Sequence, residues 1–293
     1  MASKFSIPVA PIRGALPVLK PFRMRGPAHD ALFAVRWLAA IPPKYLVAVV
    51  LLWPALAIAQ SGVAAEGAFD KLIRWAPFLF TQGFLFNVLI SVLAMALGTI
   101  VGAFVGLGMI ARSKGLRAVM QVYVTFFRNA PWLVLLFIVL LAFPFQITLF
   151  GVTMPLPGWV KTVIGLALPV SANVAEVVRG AVQSVPSAQW EAAESLAFSR
   201  RQTIWQIILP QCVKRMLPPW MNWYAIVTMS TPLCSLMGVG EIISLTRQAM
   251  EAEGNAPELL MPFYGFALLL FLLYCYPIAR LTRRLERRFA VKI

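Results

Sequence analysis

Polar residues placed inside long apolar runs are the first places to look for chemistry in this chain. Asn173, Glu176 and Arg179 stand near the end of one run. Glu176 and Arg179 are three apart, share a helical face and can pair. Ionisable groups inside a membrane are costly enough to be either paired or functional. We read this pair as anchoring its helix to the loop that follows, with direct substrate contact as the alternative. Arg128 lies in Phe127-Arg128-Asn129-Ala130-Pro131. Pro131 suits the first turn of a restarted helix, which puts Arg128 at a membrane face, either snorkelling to headgroups or in a structural or gating role. A further uncharged run holds Asn222, Thr228, Ser230, Thr231 and Ser235 around Pro232, which breaks the backbone ladder. Interrupted helices with polar side chains near the midplane line transport paths, so Asn222, Thr228, Ser230 and Thr231 are the candidate path or gate. Hydroxyls bonding back to their own helix give the same pattern. No catalytic or metal-ligating set is present. Cys212, Cys234 and Cys275 are far apart without ligand spacing, and His29 sits beside Asp30 in a basic segment.

The stretch from Ser184 to Pro219 is polar and amphipathic, too charged for a bilayer interior, and must sit in water at a membrane face. Ser187 is expected to cap a helix starting at Ala188, with Glu191 and Glu194 in its first turns where the dipole favours acids. Ser199 and Gln202 have capping-box spacing, so a second helix is expected to reach about Ile208 before Pro210. Ala192, Ala193 and Ala197 are small enough to let another protein's backbone approach.

The elements that position these groups are membrane spans. The 293 residues are 60% hydrophobic and 13% charged, with mean hydropathy +0.79, which excludes an ordinary soluble domain. The net charge of +15 comes from basic loops rather than a nucleic-acid surface. Residues 1–44 form a basic tail, with a short surface helix at 31–40, and do not read as a signal peptide. Six spans are expected: 45–65, 83–110, 116–143 interrupted near Pro131, 159–179, 216–240 and 259–279. Gly98, Gly102 and Gly106 put small residues on one helix face for close packing. Residues 143–158 form an outside loop. With the N-terminus inside, all but Lys71, Arg74, Lys161 and Arg247 of the 26 Lys and Arg fall on the side of the 184–219 loop. That side is therefore cytoplasmic, and so are both termini.

The loop also resembles a known family. Glu191-Ala192-Ala193, three residues, Ala197, nine residues, Ile207, one residue and Leu209-Pro210 match the EAA loop of ABC importer membrane subunits. Alanine stands at 197 where that family has glycine. The flanking text and A-N-V-A-E-V-V-R-G at 172–180 are similar to the branch that imports polar amino acids, the histidine and glutamine permeases. The fifth span lacks that branch's Lys and Asp. The resemblance implies an all-α polytopic membrane protein with six transmembrane helices, an extra N-terminal helix at 45–65 preceding a five-helix importer domain over 76–288. It implies a bacterial inner-membrane location and ATPase coupling through Glu191, Ala192, Ala193, Ala197, Ile207, Leu209 and Pro210. The partners it implies are a second permease subunit, identical or related, a cytoplasmic ABC ATPase dimer and a periplasmic substrate-binding protein, besides membrane lipid. No phosphate-binding G-x-x-x-x-G-K-[ST] motif occurs, so the chain is no enzyme and ATP and Mg belong to the ATPase. Competing readings are an ATP-independent secondary transporter, which would need repeats and buried coupling charges, and a degenerate, non-transporting scaffold or sensor.

Overall fold

The computed structural model describes residues 65–149 and 152–289. The expected tail, the surface helix at 31–40 and the extra span at 45–65 lie outside them, except for Ala65. Ala65 opens helix α1, Ala65–Phe78, which passes through one π-helical turn, Leu79–Phe84, into α2, Leu85–Met109. The second span, expected at 83–110, is thus the later part of a longer rod. Then come α3, Lys114–Asn129, and α4, Trp132–Ala142, bent by 108° about Ala130 and Pro131. Pro131 is the extended residue just before α4 rather than part of its first turn.

Residues 143–158, expected as a plain loop, contain a short antiparallel hairpin: β1, Gln146–Leu149, with β2, Val152–Pro155, and Thr148 opposite Thr153. It is the one departure from an all-helical fold among the described residues. Helix α5, Gly158–Gln183, leads into the polar loop with α6, Ser187–Ser195, and α7, Arg200–Gln202. A second π-helical turn, Thr203–Ile208, joins α7 to α8, Leu209–Ser230. A 3-10 turn, Thr231–Met237, and a left-handed Gly238 (φ 71°) break the chain before α9, Ile242–Ala252; α10, Leu260–Phe289, follows. Three continuous helices, Gly67–Met109, Gly158–Gln183 and Pro257–Phe289, are long and apolar enough to cross a membrane, and five spans result if each of two bent pairs crosses once. Five is the number expected for the core domain.

The bundle is built on α2 against α5. Gly98, Gly102 and Gly106 are buried and face α5. A Cβ at each would come within 2.5 Å of Val170 Cγ1, 2.5 Å of the Ser171 carbonyl and 2.8 Å of the Ala175 carbonyl. Only glycine lets the two backbones approach this closely, and the valines at 170, 174 and 178 fill the groove so formed.

Cations at the end remote from the polar loop are matched individually. Lys161 is fully buried; its Nζ donates to the Phe143 carbonyl at 3.0 Å and the Leu140 carbonyl at 3.3 Å, and lies 3.9 Å from the Phe145 ring centroid. It therefore satisfies carbonyls left open at the end of α4. Glu253, just past α9, accepts from Trp75 Nε1 at 2.9 Å, pairs with Arg74 and lies 3.6 Å from Lys71. These contacts tie α1 to the turn between α9 and α10.

Candidate functional site

The polar loop is closed by backbone geometry at both ends of α6. Pro186, extended at ψ 144°, precedes the helix, and Ser187 is its first residue, making no capping bond. The expected Ser187 cap is therefore replaced by a rigid proline entry. At the other end, the Phe198 N–H donates to the Ala193 carbonyl at 3.0 Å and the Ala197 N–H to the Glu194 carbonyl at 2.9 Å. This is the Schellman pattern, which needs a left-handed residue after the helix. Ala197 occupies that place with φ 56°, so the backbone turns as glycine would turn it. The left-handed conformation costs a residue with a Cβ about 1–2 kcal/mol.

Ser199 and Gln202 form the capping box, with bonds of 3.4 and 2.9 Å. The helix expected to stop before Pro210 instead runs on through it, as one helical stretch from Arg200 to Met237. The π-helical turn explains this difference. It has already shifted the ladder by one residue, as the Leu209 N–H bond to the Ile204 carbonyl shows, so proline arrives where the register is loosened. Glu191, Ala192, Ala197 and Pro210 are exposed, whereas Ala193 is buried within the subunit. Ile207 and Leu209 pack against Ala181, Val185, Ile208 and Cys212. Arg215 staples the loop's stem by donating to the Ser184 hydroxyl at 2.7 Å and to its carbonyl.

Above that stem lies a cavity of about 390 Å³ lined by Arg128, Asn173, Glu176, Ser184, Arg215 and Trp223, among others. Glu176 uses both oxygens: Oε2 accepts from Arg179 Nη2 at 2.6 Å and Nε at 2.9 Å, and Oε1 lies 3.5 Å from Arg128 Nη1. Arg128, in the last turn of α3, reaches Glu176 on α5 directly. Asn173 is buried and donates back to the Pro169 carbonyl at 2.8 Å. The structure thus gathers the four ionisable and polar residues Arg128, Asn173, Glu176 and Arg179 into one place, with Arg179 turned to the outer side of Glu176.

The hydroxyl run of α8 stands elsewhere. Asn222 is exposed. Thr228, Ser230 and Thr231 donate to the carbonyls of Tyr224, Ile226 and Thr228 at 2.8–2.9 Å, and Thr228 and Thr231 are fully buried. Thr231 also belongs to a network that sequence reasoning missed. Asn87 Nδ2 donates to Thr231 Oγ1 and to Glu241 Oε2, each at 2.9 Å, while Asn87 Oδ1 accepts the Ile242 N–H at 3.0 Å. Glu241 Oε1 caps α9 by accepting the N–H groups of Ile243 and Ser244 at 3.0 Å. A lone asparagine in an apolar run was the available signal for this network.

The sequence profile described as "Binding-protein-dependent transport system inner membrane component" matches residues 98–291. The chain belongs to that family. The permease is 33% identical over 209 residues to a probable amino-acid ABC transporter permease protein, YckA, of Bacillus subtilis, covering 71% of this chain and 88% of that one. It is 30% identical over 228 residues to the glutamine transport system permease protein GlnP of Escherichia coli K12, covering 76% and 99%. Among solved structures it resembles an amino acid ABC transporter crystallised with histidines, at 25% identity and TM-score 0.63, over 75% of this chain and 98% of that one. The permease is a multi-pass inner-membrane subunit of an ABC importer, a family that works with an ATPase and a substrate-binding protein.

Proposed function

We propose that the permease carries a polar amino acid or a close derivative, and that the cavity between α3, α5 and α8 receives it. The carrying observation is the pairing of Arg128 with Glu176 Oε1 at 3.5 Å beside Asn173, in a cavity between membrane-crossing helices. A zwitterion inserted there places its carboxylate on Arg128 and its ammonium on the Glu176 oxygen that Arg179 does not hold. The cavity's volume is in the range of small-molecule sites, roughly 300–1,000 Å³. The relatives are named as amino-acid and glutamine permeases, which supports the substrate class.

In this reading a cytoplasmic ATPase dimer grips α6 of this subunit and of a second permease, identical or related. Glu191 makes the polar contact, Ala192 and the turn at Ala197 give the close fit, and buried Ala193, Ile207 and Leu209 fix the loop to the spans together with Pro210. ATP and Mg are held by the ATPase, and a periplasmic binding protein delivers substrate at the remote end. Asn222, with Ser230 and the threonines behind it, lies along the path, and the distribution of Lys and Arg puts both termini in the cytoplasm.

The test is uptake of labelled amino acids by the complete transporter in proteoliposomes. Removing a charge-assisted contact costs about 1.5–3 kcal/mol, so Glu176→Gln is expected to raise KM at least about tenfold. Glu191→Ala is expected to leave KM alone and loosen the ATPase. An unchanged KM in Glu176→Gln would sink the substrate site. ATPase coupling without uptake of any amino acid would sink the substrate class.

A further inference from the structure

A second cavity, of about 490 Å³, opens at the loop end of the bundle, lined by Arg112, Arg117, Gln121, Arg179, Gln183 and Arg200, with no carboxylate in its wall. Arg179 is satisfied by Glu176. Among the described residues no carboxylate lies within ion-pairing distance of Arg112, Arg117 or Arg200, and residues 1–64 contain no acid besides Asp30. Two helix beginnings converge on the cavity. The Ser113 hydroxyl caps α3, accepting from the Leu116 N–H at 3.4 Å, and Ser199 caps the helix that runs from Arg200 into α8. Both beginnings carry cations, Lys114 and Arg117 on one and Arg200 and Arg201 on the other, and neither has an acid in its first turn. The helix dipole already leaves partial positive charge at each. Like charge from two dipoles and from three guanidinium groups with no carboxylate partner among the described residues therefore meets in one cleft. Arg200 is fixed there by donating to the Ile110 carbonyl at 3.1 Å, with its guanidinium 5.6 Å from the Trp190 ring centroid.

We propose that this cavity binds a phosphate group, supplied by the headgroup of an anionic phospholipid. Planar guanidinium forks match phosphate oxygens in pairs, and the Gln121 and Gln183 amides line the same wall. The lipid source follows from the surroundings. Helix α2, whose end forms one wall, exposes Leu97, Ile100 and Phe104, and α3, which forms another, exposes Val119 and Val122. The cleft itself stands at the ends of two membrane-crossing helices, Gly67–Met109 and Gly158–Gln183, the level at which phospholipid headgroups lie. Because Arg200 begins the second limb of the polar loop, the headgroup steadies that limb against the membrane.

The test is native mass spectrometry of the complete transporter with its ATPase, titrated with phosphatidylglycerol or phosphatidylcholine and challenged with inorganic phosphate. The cavity pair Arg112→Gln with Arg117→Gln is compared with Lys114→Gln with Arg201→Gln, which removes equal charge from the same rim without touching the cavity wall. A charge-assisted hydrogen bond is worth at least about tenfold in binding, and only the cavity pair makes such bonds to the headgroup. Phosphatidylglycerol is expected to bind in preference to phosphatidylcholine, weakened about a hundredfold by the cavity pair and much less by the rim pair. Displacement by inorganic phosphate would assign the site to the free anion and overturn the lipid source. Equal binding of the two lipids, or equal losses in the two pairs, overturns the site. Loss of the ATPase from the cavity pair with lipid retained would show an acidic side chain of the ATPase as occupant, and the proposal falls. If the cavity pair does not fold, Arg117→Lys replaces it; keeping the charge but losing the fork, it is expected to weaken phosphatidylglycerol binding severalfold, and no change overturns the proposal.

Discussion

Substituting Gly102 by alanine probes the contact on which the bundle is built. The new Cβ would stand 2.5 Å from the Ser171 carbonyl oxygen and 2.7 Å from Val174 Cβ. The oxygen belongs to the backbone of α5 and the Val174 carbon is anchored directly to it, so no flexible end can swing aside. Restoring contact at 3.4 Å requires α2 and α5 to part locally by nearly an ångström, which also loosens Gly98 on Val170 and Gly106 on Val178. Overpacking of this kind costs about 1–3 kcal/mol, set against a gain of up to about 1 kcal/mol in helix propensity. Two controls isolate the steric component. Gly180→Ala meets nothing within 4 Å, and Gly108→Ala meets mainly Met120 Cγ, part of a flexible side chain. Thermal unfolding of the detergent-solubilised permease should rank Gly102→Ala clearly lowest, with Gly180→Ala at or above the native protein. If Gly102→Ala melts no lower than Gly180→Ala, close backbone contact between α2 and α5 is refuted.

Two further outcomes follow from local geometry. Ala197→Gly relieves the left-handed cost of about 1–2 kcal/mol and adds about 0.4–1 kcal/mol of unfolded-chain freedom. The α6 amides should therefore exchange more slowly by a factor of a few, and unchanged or faster exchange would contradict the Schellman turn. The Trp75 indole N–H, followed by Arg74 and Lys71, holds the Glu253 carboxyl below its ordinary 4.5. A depressed folded value means the tie stabilises fully above the unfolded pKa and is lost as pH falls through the folded one. Melting temperature should therefore fall more steeply below about pH 4.3 in the native protein than in Glu253→Gln; parallel curves would refute the tie.

Features governed by spacing were legible in the sequence. The glycines at 98, 102 and 106, the Ser199 capping box and the Glu176–Arg179 pair each follow from residues three or four apart on a helix, and the structure places them as that spacing requires. Features governed by register or by distant partners were not. Nothing local says that a π-helical turn lets the helix pass Pro210. Proline normally stops a helix, and the compensating shift lies in the preceding turn. Arg128 meeting Glu176 depends on how α3 packs against α5, and Lys161, read as one of the outside charges, is enclosed because the end of α4 happens to stop beside it. The network of Asn87 with Thr231 and Glu241 joins residues more than 140 positions apart, a distance at which periodicity carries no information.

That network acts as a latch. Asn87 on α2 holds Thr231 on one side of the break and Glu241 and Ile242 on the other, so the end of α8 and the start of α9 are fastened to a third helix. At about 1 kcal/mol for each of the three amide bonds, a released arrangement lies roughly a hundredfold below the fastened one in population. Helix α8 is about 33 Å long at 1.5 Å per residue, and a tilt of about five degrees at its loop end moves its far end by roughly 3 Å, a full hydrogen-bond length. A modest push on the loop is thus geometrically sufficient to draw Thr231 off Asn87. At rest, the three bonds hold the end of α8 and the start of α9 together on α2.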